Sequence, residues 1–311
     1  MKIAVIGELN VDIIVTGKDV MPAWNREKLV ETFDVVMGSS SAITAAALAS
    51  LGAEVKFVSI VGDDDFGRLC IRELGRLGVD TSGVLVDPAL KTGVTLSLST
   101  PQDRGLLTFP GTIPLLNPSQ VPDSLLGKVE HVHFGSYFLQ DGMRPHWAEL
   151  FRKARALGAS TSFDTGWDVS GTWERGGIDR LLPETDLFLP SEEEFLQLYP
   201  AESLDAAWRL LPEGTNAVAV KRGGSGASLY RPEEPVRSVP AFAVEVADTT
   251  GAGDNFNAGA IFAYRRGLRG EELLRFACAC GAIAVQGVGG TGQLATVAEA
   301  ERLIREGEAR G

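Results

Sequence analysis

Residues 248–260 read DTTGAGDNFNAGA, with an apolar strand-like run, Ala241–Val246, leading in and a helical pattern, Ala252–Arg266, leading out. Gly251 and Gly253 therefore fall where a helix begins, and they leave the backbone uncovered there. The first amides of a helix lack intrahelical partners and point outward with the positive end of its dipole. The segment predicts an anion site suited to phosphate oxygens during transfer. Asp254 sits in the first turn, where a carboxylate can take a proton from an attacking hydroxyl. The competing reading is that Asp254 only stabilises the helix start.

The rest of the chain alternates short apolar runs with helical ones. Lys2–Ile6 ends in Gly7 like a buried parallel strand. Ala42–Leu51 reads as helix closed by Gly52, Val55–Val61 as strand, and Phe66–Leu77 as helix behind the capping acids Asp63, Asp64 and Asp65. Further strands are predicted at His131–Phe134, Ser160–Asp164, Leu187–Leu189 and Ala217–Lys221, with helices at Pro145–Leu157, Glu192–Tyr199 and Leu204–Leu210. This pattern specifies a mostly parallel sheet covered by helices. Two segments break it: Asp12–Val36, and Thr92–Phe109 with its Pro-Gln-Asp-Arg-Gly turn. Both are β-prone and predict a small β-sheet lid over a site. The expected division is 1–11, 37–91 and 110–311 for the α/β body, and 12–36 and 92–109 for the lid.

With 311 residues the chain can bury a large core. Its net charge of -12, with no Lys/Arg cluster, argues against a nucleic-acid partner and against anionic membranes. It also demands a local positive device wherever phosphate binds. Cys70, Cys278 and Cys280 are too few for a disulfide framework and favour a reducing compartment. The Cys278/Cys280 pair in an Ala/Gly-rich helical run reads as core packing before metal or redox chemistry. The first strand does not resemble an export signal, and no stretch is long enough to span a bilayer. The chain is read as cytoplasmic. Gly7 is followed by ELNVD rather than a dinucleotide fingerprint, and no GxxxxGK[ST] occurs.

The string DTTGAGDNFNAG resembles the C-terminal signature of the ribokinase-like (PfkB) sugar kinases, and the resemblance spans nearly the whole chain. GELNVD at 7–12 is similar to the family's first strand and sugar-binding turn. GSSSAITA at 38–45 is similar to GGxxxNxA, with Ser39 for the second Gly and Ile43 for Asn. VGDDDFG at 61–67 matches a family segment that opens a helix. KRGGSG at 221–226 fits KxGxxG, and PSEEE at 190–194 resembles NxxE with Ser191 for Asn.

The resemblance implies a ribokinase-like three-layer α/β fold with a small β lid, and an ATP-dependent kinase that transfers the γ-phosphate to a hydroxyl of a small sugar or sugar acid. It makes Asp254 the base and gives the amides of Gly251, Ala252 and Gly253 the developing charge on the γ-phosphate. It puts Asn10, Asp12, Gly38 and Ser39 on the sugar. It places ATP near Ser191, Lys221, Gly223, Gly226, Cys278 and Ala282. Mg2+ would be held by Glu194 through water. Asp248, Thr250, Ala284, Gly287 and Gly289 match a monovalent cation (K+) site of some members; a plain Gly-rich turn is the other reading. Arg104, in the lid turn, either reaches substrate or is solvated. Trp24 either caps the sugar or packs in a lid homodimer. His131 and His133 share a strand face, as a metal pair or as ordinary strand residues. The alternatives for function are a nucleoside kinase, needing an aromatic slot that only Trp24, Phe33 and Phe109 offer, and a catalytically silent sugar-binding regulator.

Overall fold

Lys2–Ile6 is an interior strand covered on both faces, because every one of its residues after Lys2 is apolar: Ile3 and Val5 enter one core, Ala4 and Ile6 the other. The computed structural model describes residues 1–100 and 104–307, without the side chain of Arg104. In chain order the strands are β1 (Lys2–Ile6), β2 (Asn10–Thr16), β3 (Thr32–Met37), β4 (Glu54–Gly62), β5 (Asp80–Asp87), β6 (Gly93–Ser99), β7 (Arg104–Phe109), β8 (His131–Phe134), β9 (Ser160–Phe163), β10 (Leu187–Phe188), β11 (Ala217–Lys221), β12 (Ala227–Tyr230) and β13 (Arg237–Val239). The helices used below are α1 (Ser40–Ser50), α2 (Asp65–Arg76), α3 (Trp147–Ala156), α4 (Glu192–Leu198), α5 (Ala252–Arg265), α6 (Gly270–Ala284) and α7 (Val297–Glu306).

Nine strands form one sheet, ordered β13-β12-β11-β10-β9-β8-β1-β4-β5. All neighbours from β5 through β11 are parallel, and β12 and β13 add antiparallel ribbons at the edge. One core lies under α1, α2, α5 and α6, the other under α3 and α4. The sheet is thus the middle of three layers. The chain leaves β1 for β4 on one side and returns to β8 on the other, so the crevice beyond β1 is a topological switch point, where open α/β sheets bind ligands.

Residues from both β-prone segments meet in a second sheet, ordered β3-β2-β6-β7. β2 and β6 pair in parallel from Asn10↔Gly93 to Thr16↔Ser99. The expected turn at Pro101, Gln102 and Asp103 lies outside the described residues.

The apolar run Ala241–Val246 is not a strand. β13 ends at Val239, and Pro240, which has no N–H to donate, follows it. The run continues as irregular chain with Phe242 buried. Strands β5, β12 and β13, at the two ends of the sheet, are not among the predicted ones; β5 is only half-buried and lacks a clean alternation.

Candidate active site

Two clefts meet at the start of α5. The first, about 250 Å³, lies beyond β1 under the lid and is lined by Glu8, Asn10, Asp12, Ser39, Ser40, Thr95, Ser97, Thr250, Gly251 and Asp254, with Ile14, Ile43, Leu106, Ile113 and Leu139 as its aliphatic walls. The second, about 270 Å³, includes Lys221, Gly223, Gly226, Ala252, Gly253, Cys278 and Ala282, with Phe242, Val244 and Val246 of the irregular run forming a wall.

Gly251 caps α5 in the left-handed region, at φ 73°. A Cβ there would also stand 2.5 Å from Gly290 Cα, so glycine is required twice over. Asn255 locks the same contact by donating to the carbonyls of Gly251 (2.9 Å) and Gly290 (3.1 Å). The three amides do not all face outward as expected. The Ala252 N–H turns back to the Thr249 carbonyl at 3.3 Å, because the turn that precedes the helix closes on itself.

Asp254 is partly buried in the first turn of α5. Its Oδ1 accepts from Ser40 Oγ at 2.5 Å, and its carbonyl accepts from Thr44 Oγ1 at 3.3 Å. The positive ends of α1 and α5 therefore converge on the first cleft. Burial, with Asp164 and Glu8 adding repulsion, pushes the Asp254 carboxyl up to about 7 against the Ser40 bond and the Lys221 charge.

Asn10 donates to Asp12 Oδ1 at 3.1 Å. Ser39 has φ 78°, which explains a glycine in the family pattern; its hydroxyl offsets the strain by donating to the Glu8 carbonyl (2.6 Å) and accepting from Ala42 N (3.1 Å). Gly38 does not line the cleft. A Cβ there would lie 2.1 Å from Asp12 Oδ1, so its role is to admit the Asp12 carboxylate. Arg104 opens β7 opposite Ser99, and its side chain lies outside the described residues.

Lys221 Nζ pairs with Asp164 Oδ2 at 2.5 Å, and Asn257 bonds both partners. Burial opposes both charges, yet each holds the other ionised. Asp164 stays below the usual carboxylate range, through Lys221, the Gly166 N–H and Asn257. Lys221 stays above its usual value, through Asp164, Glu194 and Asp254. A Cβ at Gly253 would stand 3.6 Å from Lys221 Nζ. The ammonium thus lies beside the amide end of α5, an arrangement that can attract an anion.

Ser191 and Glu194 do not line the second cleft. They form a capping box on α4, Ser191 N–H to Glu194 Oε2 at 2.8 Å and Glu194 N–H to Ser191 Oγ at 3.2 Å. Burial, with Asp164 adding to it, raises the Glu194 carboxyl against the pull of Lys221. Asp248 joins two loops: Oδ1 accepts from Thr250 N (2.9 Å) and Oγ1 (2.8 Å), Oδ2 from Gly289 N (2.8 Å). Gly287 N–H donates to the Ala284 carbonyl at 3.1 Å in the neighbouring turn.

His131 and His133 are buried and bond the hydroxyls of Ser160 and Ser162 at 2.7–2.8 Å, as interior strand residues do. Trp24 is 97% exposed. Phe33 and Phe109 pair with Val15 and Val94, on the face of the lid opposite Asp12 and Thr95. None of these three aromatics lines either cleft, so the slot expected for a nucleobase is not built from them.

Sequence reading missed Glu8 and Asp164. Glu8 is 3% exposed and accepts from Ser41 N (3.1 Å), Ser41 Oγ (2.6 Å) and Gln140 Nε2 (3.3 Å). The available signal was position: Asp164 follows directly on β9 and Glu8 comes two residues after β1, both at the carboxyl edge of the sheet.

The pfkB family carbohydrate kinase profile matches residues 1–296. Fructokinase-2 of Zea mays is 31% identical over 287 residues, covering 86% of this chain and 84% of the relative. An ATP-dependent ribose-1-phosphate kinase of Halopiger xanaduensis is 31% identical over 283 residues, covering 89% of each. A crystal structure of a putative ribokinase II from E. coli in complex with ATP and Mg2+ superposes with a TM-score of 0.85 at 28% identity, covering 98% of this chain and 99% of that one. The chain belongs to the pfkB family of carbohydrate kinases. It is an ATP-dependent phosphotransferase acting on sugars. Among the described residues no helix is long and apolar enough to cross a membrane.

Proposed function

We propose that the first cleft takes an uncharged sugar and that Asp254 removes the proton of its reacting hydroxyl. One observation carries this reading: Asp254 lines the sugar-side cleft while the residues just before it, Ala252 and Gly253, line the nucleotide-side cleft. A carboxyl held near 7 is matched to base work at neutral pH. Asp12 and Asn10 hold acceptor hydroxyls, and the Gly251–Gly253 turn with Lys221 receives phosphate charge. Glu8, Asp12 and Asp254 make the acceptor cleft acidic, which favours a neutral sugar over a sugar acid or phosphosugar.

The second cleft fits the nucleotide: Lys221 and Gly253 form its phosphate end, and Phe242, Val246, Cys278 and Ala282 its apolar end. Mg2+ would supply charge neutralisation on the phosphate oxygens, with Glu194 acting on it through water. The loops joined by Asp248 would hold a monovalent cation beside the anion turn.

The four-stranded sheet acts as a lid that excludes water from the transfer. Its outer face exposes Phe33, Val35, Leu107 and Phe109, which suits a second lid in a homodimer. ATP consumption across neutral sugars, sugar acids and sugar phosphates, ribose 1-phosphate included, tests the acceptor. Turnover with neutral sugars is expected; preference for a phosphorylated sugar contradicts the reading.

A further inference from the structure

The segment VGDDDFG at 61–67 opens α2, and two of its residues, Gly62 and Asp64, share one hydrogen-bond partner, Thr92. Asp64 is the N-cap of α2, with Oδ1 accepting from Gly67 N at 2.8 Å. The same carboxylate accepts from Thr92 Oγ1 (2.7 Å, on Oδ1) and Thr92 N (2.9 Å, on Oδ2). Thr92 Oγ1 in turn accepts from Gly62 N at 3.0 Å.

Both glycines of the segment are there because no Cβ fits. One at Gly62 would stand 2.9 Å from Thr92 N and 2.6 Å from the Leu90 carbonyl; one at Gly67 would stand 2.9 Å from Thr92 Oγ1 and 2.4 Å from the Gly62 carbonyl. The turn after β7 passes through the same collar: Gly111 has φ 47°, and a Cβ on it would lie 2.5 Å from the Lys91 carbonyl. Thr92 itself is 2% exposed.

Thr92 is the residue before β6. From it the ladder runs Gly93 opposite Asn10, Thr95 opposite Asp12 and Ser97 opposite Ile14. Thr95, Ser97, Asp12 and Ile14 all line the acceptor cleft. A strand's side chains alternate, so a slip of one residue would turn Thr95 and Ser97 out and bring Val94 and Leu96 in.

We infer that Asp64 is a positioning residue for the sugar: through Thr92 it fixes the register in which β6 presents Thr95 and Ser97 to the acceptor. The inference rests on the assignment of the first cleft to the sugar. It gives the half-buried Asp64–Thr92 bonds a kinetic consequence on one substrate only, since no part of the collar lines the nucleotide cleft.

The test is steady-state kinetics of the full chain with a neutral sugar it turns over, varying sugar and ATP separately, for D64N, T92V and T92S, with melting temperature measured alongside. D64N and T92V are expected to raise KM for sugar about tenfold, the usual effect of losing a charge-assisted hydrogen bond, with KM for ATP within about twofold of wild type. T92S keeps the hydroxyl and is expected to restore the sugar KM. Should D64N fail to fold, the T92V/T92S pair carries the test, because it leaves the α2 cap intact. A lower melting temperature with an unchanged sugar KM, or equal losses for sugar and ATP, overturns the inference. Absence of turnover with every neutral sugar in the wild type would instead sink the acceptor reading beneath it.

Discussion

Ser40 Oγ donates a 2.5 Å hydrogen bond to Asp254 Oδ1, joining the first turns of α1 and α5 across 214 residues of sequence. The bond stabilises the ionised carboxylate and opposes the burial that raises it.

Because a base works only when deprotonated, kcat/KM is expected to fall as pH drops through about 7. Removing the Ser40 bond takes away support for the charged form. S40A therefore moves the acid limb to higher pH. A pH profile of kcat/KM for both proteins checks this, and an unmoved limb would separate Ser40 from the base.

Asp12 enters the cleft from β2 of the four-stranded sheet, two residues beyond Asn10, in a space that Gly38 leaves open. D12A is expected to weaken sugar binding by about 1.5–3 kcal/mol while leaving ATP binding unchanged. Separate titrations with sugar and with a non-hydrolysable nucleotide decide it; equal losses would contradict the sugar role.

Lys221 and Asp164 are a buried pair, their side chains 13% and 5% exposed. Deleting one partner strands the other. D164A is expected to cost about 3–5 kcal/mol, and the double change D164A/K221M less than the sum of the single ones. Urea unfolding of the three variants measures this, and additive costs would show that the pair does not act as a unit.

Much of this arrangement was legible in the sequence. β1, β8 and β11 fall on their predicted residues, because apolar runs closed by a glycine or a charge leave little choice. Asp254 and Gly251 line the first cleft and Lys221 and Cys278 the second, and each was singled out because it lies in a contiguous motif. Glu8 and Asp164 were missed because their significance is non-local: Glu8 meets Ser41 and Gln140, and Asp164 meets Lys221 and Asn257, only once the sheet brings the strand ends together. Ala241–Val246 misled for the opposite reason. Its alternate residues Phe242, Val244 and Val246 wall the second cleft, so a strand-like period of two marks a cleft wall rather than a strand.

The raised Asp254 carboxyl also bears on stability. Its ordinary value is 3.8 and its folded value about 7, so between them the folded state holds a proton the unfolded chain lacks. Stability from this group is present at low pH and is lost as pH rises from about 4 through 7. D254N is therefore expected to be more stable than wild type at pH 8, by roughly 1–4 kcal/mol, with the gain shrinking toward pH 4. Denaturant unfolding at both pH values tests the sign; a variant less stable at pH 8 would contradict it.

The most direct measurement is the turnover of D254N on a neutral sugar, with nucleotide affinity measured on the same preparation. Its carboxylate stands where the two clefts meet, so the base should be lost while the nucleotide site survives. A fall in kcat of roughly 10²–10⁴ with ATP affinity retained is predicted. A variant whose kcat stays within about tenfold of wild type would contradict the assignment of Asp254 as the base.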